Sequence, residues 1–299
     1  MSYLKKQPFI ENEIQRFKLR KQTSKIVSEF YKSNPFPNYK VDDDKISIVQ
    51  KGDKNVLAKQ FKKFVGFNKK VLEVGCGTGQ LSVYFATGNN NLVISLDTTL
   101  ESILVAKDFV KKNKIENIRF VNSDIFDDVL AENYFDFIWC NGVLHHTENP
   151  KVGFNIITKS LKKDGYILVG LYNKFGRLRT IIRRFFYKIF GTSFVALFDP
   201  TLKKLKLSKD EQISWIRDQY QHPKESLHTL DEVLDWFKKN NIEFISSIPS
   251  CDMDNDFNDI FYKKLKGNLI SRFLNQILMI FDNLGSDGGL FIVIGKKNG

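Results

Sequence analysis

The sequence predicts an α/β fold with a doubly wound, largely parallel sheet. Between residues 70 and 172, five short apolar runs alternate with segments of helical periodicity. That alternation is typical of a parallel sheet covered by helices on both faces. The first run passes directly into a glycine turn, 75–79, and then into a helix start. Two more apolar runs near the C terminus extend the predicted sheet to seven strands.

Composition is that of a soluble globular protein with one large core, or one core and a cap. The chain has 299 residues, of which 42% are hydrophobic and 27% charged. A net charge of +12 favours anionic partners such as nucleic acid, acidic lipid or an acidic substrate, although most of the lysines are expected to be solvated surface.

Three features predict a cytoplasmic location. The cysteines, Cys76, Cys140 and Cys251, match no metal-binding spacing and no CxxC pair, which predicts reduced thiols and no metal site. Residues 1–13 are polar and lack the apolar region of a secretory signal. No window reaches the roughly 18 uninterrupted apolar residues of a membrane span.

The N-terminal part, 1–66, is predicted to be a helical extension that acts as a lid. Residues 11–33 carry partial apolar stripes at helical spacing, and the Pro-rich segment 34–39 ends that helix. An acidic turn at 42–44 introduces a further helical stretch that runs to about residue 64.

The core, 67–172, is predicted to contain five strands and three helices. Its strands are expected at 70–75, 92–96, 118–122, 135–141 and 166–172. Its helices are expected at about 79–87, 99–113 and 150–162, with a turn at 163–165 before the fifth strand.

The C-terminal part departs from this repeat and then returns to it. Residues 173–229 form a predicted basic, aromatic helical insertion. Residues 230–299 complete the sheet with a helix at about 230–240, strands at 242–248 and 290–296, and a helical insertion at about 257–283.

Polar residues at the strand ends predict a ligand site. In an open parallel sheet, ligands bind beyond the carboxyl ends of the strands. Asp97 ends the second strand, 22 residues after Gly75, which fits a carboxylate that accepts hydrogen bonds from ribose hydroxyls. A role of Asp97 as a cap of the following helix is compatible with this.

Three motifs extend the pattern. Glu73 precedes the glycine turn, the third strand runs into Ser123-Asp124-Ile125, and the fourth ends in 141–146, Asn-Gly-Val-Leu-His-His. Together these motifs resemble the class I S-adenosylmethionine (SAM) methyltransferases, and 141–146 closely resembles their UbiE-like small-molecule branch. The resemblance implies a Rossmann-like sheet with an antiparallel seventh strand, SAM as cofactor and S-adenosylhomocysteine as product.

The resemblance also implies the cofactor-binding residues. An Asp at position 124 accepts from the adenine amino group, and the next apolar residue lines the ring. Thr98 is a departure, because the family often has a bulkier apolar residue there. The cofactor-binding set is Glu73, Gly75, Cys76, Gly77, Gly79, Asp97, Thr98, Asp124, Ile125 and Asn141.

Other segments resemble one bacterial branch of these enzymes that lacks a defined substrate. They are 35–39, 170–173 with 176–178, 218–220 with 222–223, and 288–292. The resemblance therefore identifies the cofactor better than the acceptor.

Methyl transfer requires alignment and a dry site rather than a covalent nucleophile. An oxygen or carbon acceptor must lose a proton, and His145 and His146 are the candidate general bases, although either histidine can simply pack at the strand end. Tyr172, with Asn173, and His222, with His228, are candidates to contact the acceptor; a surface or capping role is the alternative for the two histidines.

The insertions leave two roles open. Residues 177–190 have an apolar face and an opposite basic face, and 265–281 is a second apolar stretch with lysines near its start. The two segments can form a lid over the substrate pocket, or the first segment can contact an anionic membrane. The two roles can also coexist. The sequence predicts that 35–39, 177–190 and 265–281 cover the acceptor pocket, with the basic face outside.

The predicted function is SAM-dependent methylation of a small or lipid-like acceptor at oxygen or carbon. One alternative is a non-catalytic SAM-binding or interaction module. The other is an RNA methyltransferase, which is disfavoured because the basic stretch belongs to an apolar helix and no known RNA-binding module is present. Oligomeric state is left open.

Overall fold

One mixed sheet organises the molecule. The computed structural model describes residues 2–33, 35–204, 208–251, 260–281 and 288–299. Nine strands are found in these residues: β1 (Phe9–Glu11), β2 (Ile14–Arg16), β3 (Lys70–Val74), β4 (Leu92–Asp97), β5 (Ile118–Asn122), β6 (Phe135–Asn141), β7 (Leu161–Tyr172), β8 (Ile242–Ile248) and β9 (Leu290–Lys297). Their order across the sheet is β1-β2-β5-β4-β3-β6-β7-β9-β8.

Helices cover both faces of the sheet. Those in the described residues are α1 (Gln22–Lys32), α2 (Lys45–Lys54), α3 (Val56–Val65), α4 (Gln80–Ala86), α5 (Leu100–Lys112), α6 (Pro150–Lys159), α7 (Leu178–Phe190), α8 (Thr192–Phe198), α9 (Pro200–Lys204), α10 (Lys209–Ile216), α11 (Leu230–Lys239) and α12 (Leu269–Leu278). A π-helical turn, Arg217–Gln221, follows α10. None of these helices has the length and hydropathy needed to span a bilayer.

The centre of the sheet confirms the predicted doubly wound core. Strand β3 pairs in parallel with β4 on one side and β6 on the other, and the parallel ladder continues to β5 and β7. The last strand, β9, lies antiparallel between β7 and β8, as expected. Because the chain reverses direction across the sheet between β3 and β6, a crevice opens at their carboxyl ends.

The N-terminal extension differs from the prediction. The helix expected at 11–33 begins only at Gln22, and β1 and β2 form a hairpin before it. Strand β2 pairs in parallel with the free edge of β5, with Gln15 opposite Val121, and Ile14 is fully buried. The prediction of seven strands is therefore two too few, because an available sheet edge decided the conformation of residues whose local pattern favoured a helix.

Two further boundaries differ for local reasons. The single helix expected up to about 64 is two helices, because the Asn55 side chain accepts a hydrogen bond from the Ala58 N–H and starts α3. Strand β7 begins at 161, and the turn expected at 163–165 is an irregularity inside it, where Asp164 has a φ of 60°. Of the helical insertion expected at 257–283, only α12 is helical in the described residues; 257–259 and 282–283 lie outside them.

Candidate functional site: a cavity at the strand ends

A cavity of about 630 Å³ opens at the carboxyl ends of the central strands. Eleven of the fourteen predicted site residues line it: Glu73, Gly75, Cys76, Gly77, Asp97, Thr98, Asp124, Ile125, Asn141, His146 and Tyr172. Gly79, His145 and His222 are not among the described residues of its wall. The opposite wall comes from α1, α2, residues 36–37 and the turn after α10.

The glycine turn is bonded to the end of β4. The N–H groups of Gly75 and Cys76 both donate to the Leu96 carbonyl, at 2.7 and 3.1 Å. Gly77 has a φ of 51°, and its N–H donates to Oδ2 of Asp97 at 2.8 Å. Gly79 caps α4 instead, and a Cβ there would lie 3.0 Å from that of Ala106, so its role is in packing.

Asp97 is held in place by hydrogen bonds and can still accept more of them. Its Oδ1 accepts from the Thr99 N–H at 2.7 Å, while Oδ2 accepts from Gly77. Desolvation raises the pKa of this carboxyl, and the hydrogen bonds from Thr99 and Gly77 oppose that rise. Each carboxylate oxygen can accept a second hydrogen bond, so Asp97 can bind a diol from the cavity.

Asp124 has a buried carboxylate oxygen that lacks a hydrogen-bond donor. One carboxylate oxygen, Oδ1, accepts from the Phe126 N–H at 3.1 Å. The other, Oδ2, is buried in the wall with no hydrogen-bond partner among the described residues. Oδ1 of Asn141 is in the same condition on the neighbouring strand end. Unpaired buried acceptors are costly, so these positions fit a ligand that donates hydrogen bonds, as the adenine amino group of SAM does.

Glu73 is a protonated carboxyl at neutral pH. It is buried, and desolvation raises its pKa to about 8, against the opposing hydrogen bond from the Ser82 hydroxyl. Burial, together with the charges of Asp97 and Glu73, also holds the pKa of the Cys76 thiol well above its usual range. This thiol is therefore not a nucleophile.

The segment 36–39, which was expected to cover the acceptor pocket, packs on the glycine turn. The Tyr39 hydroxyl donates to the Thr78 carbonyl at 2.9 Å, and the Thr78 hydroxyl donates to the Pro37 carbonyl. A Cβ on Gly77 would lie 2.2 Å from the Phe36 carbonyl oxygen. The segment and the turn thus fit together closely because Gly77 has no side chain.

Four rings pack in a continuous row beside the cavity, which we call the stack, although only His146 and His222 are stacked face to face. The ring of His145 lies 4.0 Å from that of Tyr172 and 4.2 Å from that of His146, which stacks at 3.6 Å on His222. The Arg177 guanidinium lies 3.6 Å from the centre of the Tyr172 ring. The stack brings all four predicted catalytic side chains together, but His146 and Tyr172 alone among them reach the cavity.

The hydrogen bonds of the stack leave no free lone pair on His146. Its Nδ1 lies 2.6 Å from the Lys224 carbonyl, so that nitrogen carries the proton and Nε2 accepts from Nε2 of His145 at 3.0 Å. Burial lowers the pKa of His145 and His146, and lowers that of His222 to about 3. All three rings are neutral at pH 7, as a base must be, but the one that lines the cavity, His146, has both nitrogens occupied. The nitrogens without a partner among the described residues, Nδ1 of His145 and Nε2 of His222, belong to rings outside the cavity wall.

A polar group that the sequence argument did not nominate lines the opposite wall. The Tyr31 hydroxyl donates to Oδ1 of Asp218 at 2.6 Å. Nε2 of Gln219 donates to Oδ2 of Asp218 at 2.9 Å and lies 3.1 Å from the Tyr172 hydroxyl oxygen. Burial and the charge of Asp218 hold the pKa of Tyr31 well above its usual range, so Tyr31 stays a donor. The signal was present in the motif 218–220, which carried only a resemblance.

A buried guanidinium fixes this group. Arg177 is fully buried and donates to Oε1 of Gln219 at 2.6 Å, which turns the amide nitrogen towards Asp218. Glu225 balances the charge through two bonds to Arg177, at 2.7 and 3.0 Å, and accepts a third from Arg184 at 2.8 Å. Both arginines act inside the protein, although the sequence predicted an outward basic face.

The predicted cap is only partly found. Residues 36–37 line the cavity, but no described residue of α7 or α12 does. Helices α1, through Ser24 and Tyr31, and α2 belong to the 1–66 extension predicted as a lid, and they line the cavity together with the turn after α10. Helical periodicity indicated that α7 and α12 exist, but not which way their faces point.

Two further candidates have structural partners. Nε2 of His228 lies 2.8 Å from the Ser226 hydroxyl and Nδ1 lies 3.0 Å from Glu232. The Asn173 amide donates to Gln276 at 2.9 Å. Neither residue is in the cavity wall, so their place is in the support of the strand end.

Comparison with known proteins defines the class. A family model for a methyltransferase domain matches residues 67–215, which begins where the predicted core begins. Ubiquinone biosynthesis O-methyltransferase of Glaesserella parasuis is 31% identical over 122 residues, which is 39% of this chain and 50% of that enzyme. Residues 67–215 therefore form a methyltransferase domain.

Solved structures show the same fold over most of the chain. Magnesium protoporphyrin IX methyltransferase from Synechocystis, with bound S-adenosylhomocysteine, aligns with a TM-score of 0.52 at 14% identity and covers 93% of this chain and 100% of that one. PKMT2 from Rickettsia typhi aligns with a TM-score of 0.55 at 17% identity, and the alignment covers 80% of this chain and 52% of that one. The sequence matches span about half, or less, of the curated relatives, at 48%, 50% and 41% of their lengths.

Proposed function

We propose that this protein transfers a methyl group from SAM to a small or lipid-like acceptor, at oxygen or carbon. The observation that carries the proposal is the cavity at the strand ends, where Asp97 has spare acceptor capacity and Oδ2 of Asp124 is buried without a partner. The similarity to a ubiquinone biosynthesis O-methyltransferase supports a small-molecule acceptor.

Different residues of the cavity would bind different parts of SAM. The turn at Gly75 and Gly77 meets the amino-acid part, Asp97 accepts from the ribose hydroxyls, and Asp124 with Ile125 takes the adenine. When bound, SAM supplies a methyl group already activated on a sulfonium sulfur. The chain contributes alignment, which is worth ~7–11 kcal/mol in favourable cases, and the exclusion of water by α1, α2 and 36–39.

We propose Asp218 as the group that takes the acceptor's proton. It faces the cavity, and Tyr31 and Gln219 each donate to one of its oxygens, which fixes the carboxylate while leaving lone pairs for a hydroxyl. His146 is the alternative that the sequence favours, but both of its nitrogens are occupied. A base must have a free lone pair within reach of the proton it removes.

The test is production of S-adenosylhomocysteine from SAM and a broad metabolite extract. The wild type is expected to turn over. Asp218→Asn should keep SAM affinity and lose most of the activity, whereas His146→Gln, which can still accept and donate hydrogen bonds, should retain more of it. SAM binding without turnover across a broad extract would favour the non-catalytic module. Tight RNA binding with a steep dependence on salt would favour an RNA methyltransferase.

We further propose a cytoplasmic location, with the inner face of a membrane as a place where a lipid-like acceptor is met. Cys76 and Cys140 are buried thiols outside any disulfide, which suits a reducing compartment. Fractionation of cells into soluble and membrane-associated material tests the location, and recovery only from an oxidising compartment would contradict it.

A further inference from the structure

Helix α7 buries its polar side and exposes its apolar side, which is the reverse of an ordinary surface helix. Its inward side carries polar residues: Thr180 is buried, and Arg184 donates to the Gln219 carbonyl and Glu225, each at 2.8 Å. Its outward side is apolar, with Ile182 49%, Phe185 61% and Phe190 61% exposed. A helix of a globular protein normally buries its apolar stripe, so this one needs a partner for it.

Helix α12 has the same inversion. The Asn275 amide is buried and donates to the Ser250 carbonyl at 2.6 Å. Buried Gln276 accepts from the Leu230 N–H at 2.8 Å. The outward side is apolar, and Ile270 is 70% and Phe273 47% exposed. Two helices thus direct amides and arginines inward and aliphatic and aromatic side chains outward.

The segment that leads into α7 contacts α12. Phe175, just before α7, meets Phe273 of α12 edge to face, with ring centres 5.6 Å apart. Asn173, in the segment before α7, donates to Gln276 of α12 and accepts from the N–H of Gly176. Each helix therefore turns its apolar side away from its own buried polar partners, and the two helices are joined at the start of α7. We call the outward side chains of α7 and α12 the apolar surface.

The positive charge around the apolar surface favours an anionic partner. Of the ten Lys and Arg in residues 173–198 and 260–281, four pair with carboxylates, and Arg177 among them is fully buried. Lys174, Arg179, Lys188 and Lys266 are exposed and form no ion pair within the described residues. A second copy of the chain would place like charges opposite each other, which is unfavourable. Apolar side chains flanked by cations match the acyl boundary and the headgroups of an anionic lipid surface.

We propose that the apolar surface is a membrane-docking face, which lies on an anionic bilayer with α7 and α12 in the interfacial plane. Phe185, Phe190 and Phe273 insert below the headgroups, and Arg179 and Lys188, both exposed, meet the phosphates. The face is separate from the cavity, because no described residue of either helix lines it. The inference therefore stands or falls independently of the acceptor assigned above.

Vesicle cosedimentation of the full chain tests the proposal. The wild type should bind vesicles of 30% phosphatidylglycerol in phosphatidylcholine, and bind pure phosphatidylcholine vesicles far more weakly. Phe185→Ser with Phe190→Ser should lower the affinity at least tenfold, as should Arg179→Glu with Lys188→Glu. Phe67→Ser is the matched control, because Phe67 is 66% exposed in a loop after α3, and it should bind like the wild type. SAM affinity, measured by calorimetry on every variant, should not change.

Three results would overturn the proposal. One is no binding by the wild type at any anionic lipid fraction. Another is wild-type binding by the Phe185 and Phe190 double variant while its SAM affinity shows it to be folded. The third is a dimer in sedimentation velocity that is abolished by the same double variant and not by Phe67→Ser, which would assign the surface to a second copy of the chain.

Discussion

The backbone N–H of Gly77 donates a 2.8 Å hydrogen bond to the carboxylate of Asp97, which lies 20 residues further along the chain. This bond joins the turn after β3 to the end of β4. Gly77 makes the turn possible through its positive φ, and Asp97 then both orders the turn and faces the cavity with a second lone pair on each oxygen. The same carboxylate therefore builds the site and is available to bind in it.

Replacement of Asp97 by Ala should abolish measurable SAM binding. The variant loses the acceptor for the ribose and the anchor of the glycine turn, and a hydrogen bond to a charged group contributes about 1.5–3 kcal/mol. Isothermal titration calorimetry with SAM measures the loss, and Asp235→Ala on the exposed face of α11 is the control. SAM affinity equal to that of the wild type would remove this cavity as the cofactor site.

Asp124→Asn should change which base the site prefers. The new side-chain oxygen would keep the bond to the Phe126 N–H, which places the amide NH2 where Oδ2 stood. That NH2 group faces the adenine amino group donor to donor, which is unfavourable, and it can instead donate a hydrogen bond to the O6 oxygen of hypoxanthine. We expect about tenfold weaker S-adenosylhomocysteine binding, by loss of one good hydrogen bond, and a smaller preference for it over S-inosylhomocysteine.

The control for this change lies in the same short turn. Asp127→Asn alters a carboxylate that is not in the cavity wall and should leave both affinities unchanged. An unaltered preference for adenine in Asp124→Asn would contradict the assignment of Asp124.

Two glycine substitutions should separate the effect of backbone strain from the effect of a steric clash between the glycine turn and the segment 36–39. Gly77→Ala and Gly88→Ala both place a Cβ on a residue with positive φ, which costs about 1–2 kcal/mol of stability. At Gly88 the new Cβ has no neighbour within 4 Å, whereas at Gly77 it overlaps the Phe36 carbonyl. Both variants should therefore melt at lower temperature, and Gly77→Ala alone should lose SAM affinity. Equal SAM affinity in the two variants would show that the fit of 36–39 on the turn does not matter.

Glu73→Gln should flatten the pH dependence of stability. The pKa of Glu73 is about 8 in the folded protein and near its ordinary value of 4.5 in the unfolded chain. Between these values the unfolded state holds fewer protons, so the free energy of unfolding falls as pH rises from about 4.5 to 8, by about 1.36 kcal/mol per pKa unit of difference. Gln carries no proton to lose and keeps an acceptor for Ser82.

Thermal melts of the SAM-free protein from pH 5 to 8 measure this effect. The wild type should lose stability relative to Glu73→Gln as the pH rises. Parallel curves for the two proteins would place the pKa of Glu73 near its ordinary value.

The core was accessible to sequence reasoning because its signals are local. Strands β5, β6 and β8 have the predicted bounds, since continuous apolar runs between turn residues leave little choice. The positions of Asp97 and Asp124 followed too, because the carboxyl ends of parallel strands all meet at one edge of the sheet. The roles of these residues stay predictions until binding is measured.

The errors share a different cause. Nothing local distinguishes the strand at Ile14–Arg16 from the start of a helix, and pairing with the open edge of β5 decided it. The histidine motif indicated a base, but whether His146 has a free lone pair depends on the Lys224 carbonyl, 78 residues away. Likewise, Asp218 became a candidate only when the fold placed Tyr31 from α1 against it.

The sequence by itself determined the doubly wound sheet, the glycine turn and the class of cofactor, because periodicity and short motifs encode them within a few tens of residues. The tertiary structure alone decided the partners of the two His146 nitrogens, the position of Asp218 beside Tyr31 and the direction of α7 and α12. An amphipathic pattern states that a helix has two faces, but the buried partners, such as Glu225 for Arg184 and Leu230 for Gln276, determine which face turns inward. Those partners are distant in sequence, so only the folded chain brings them together.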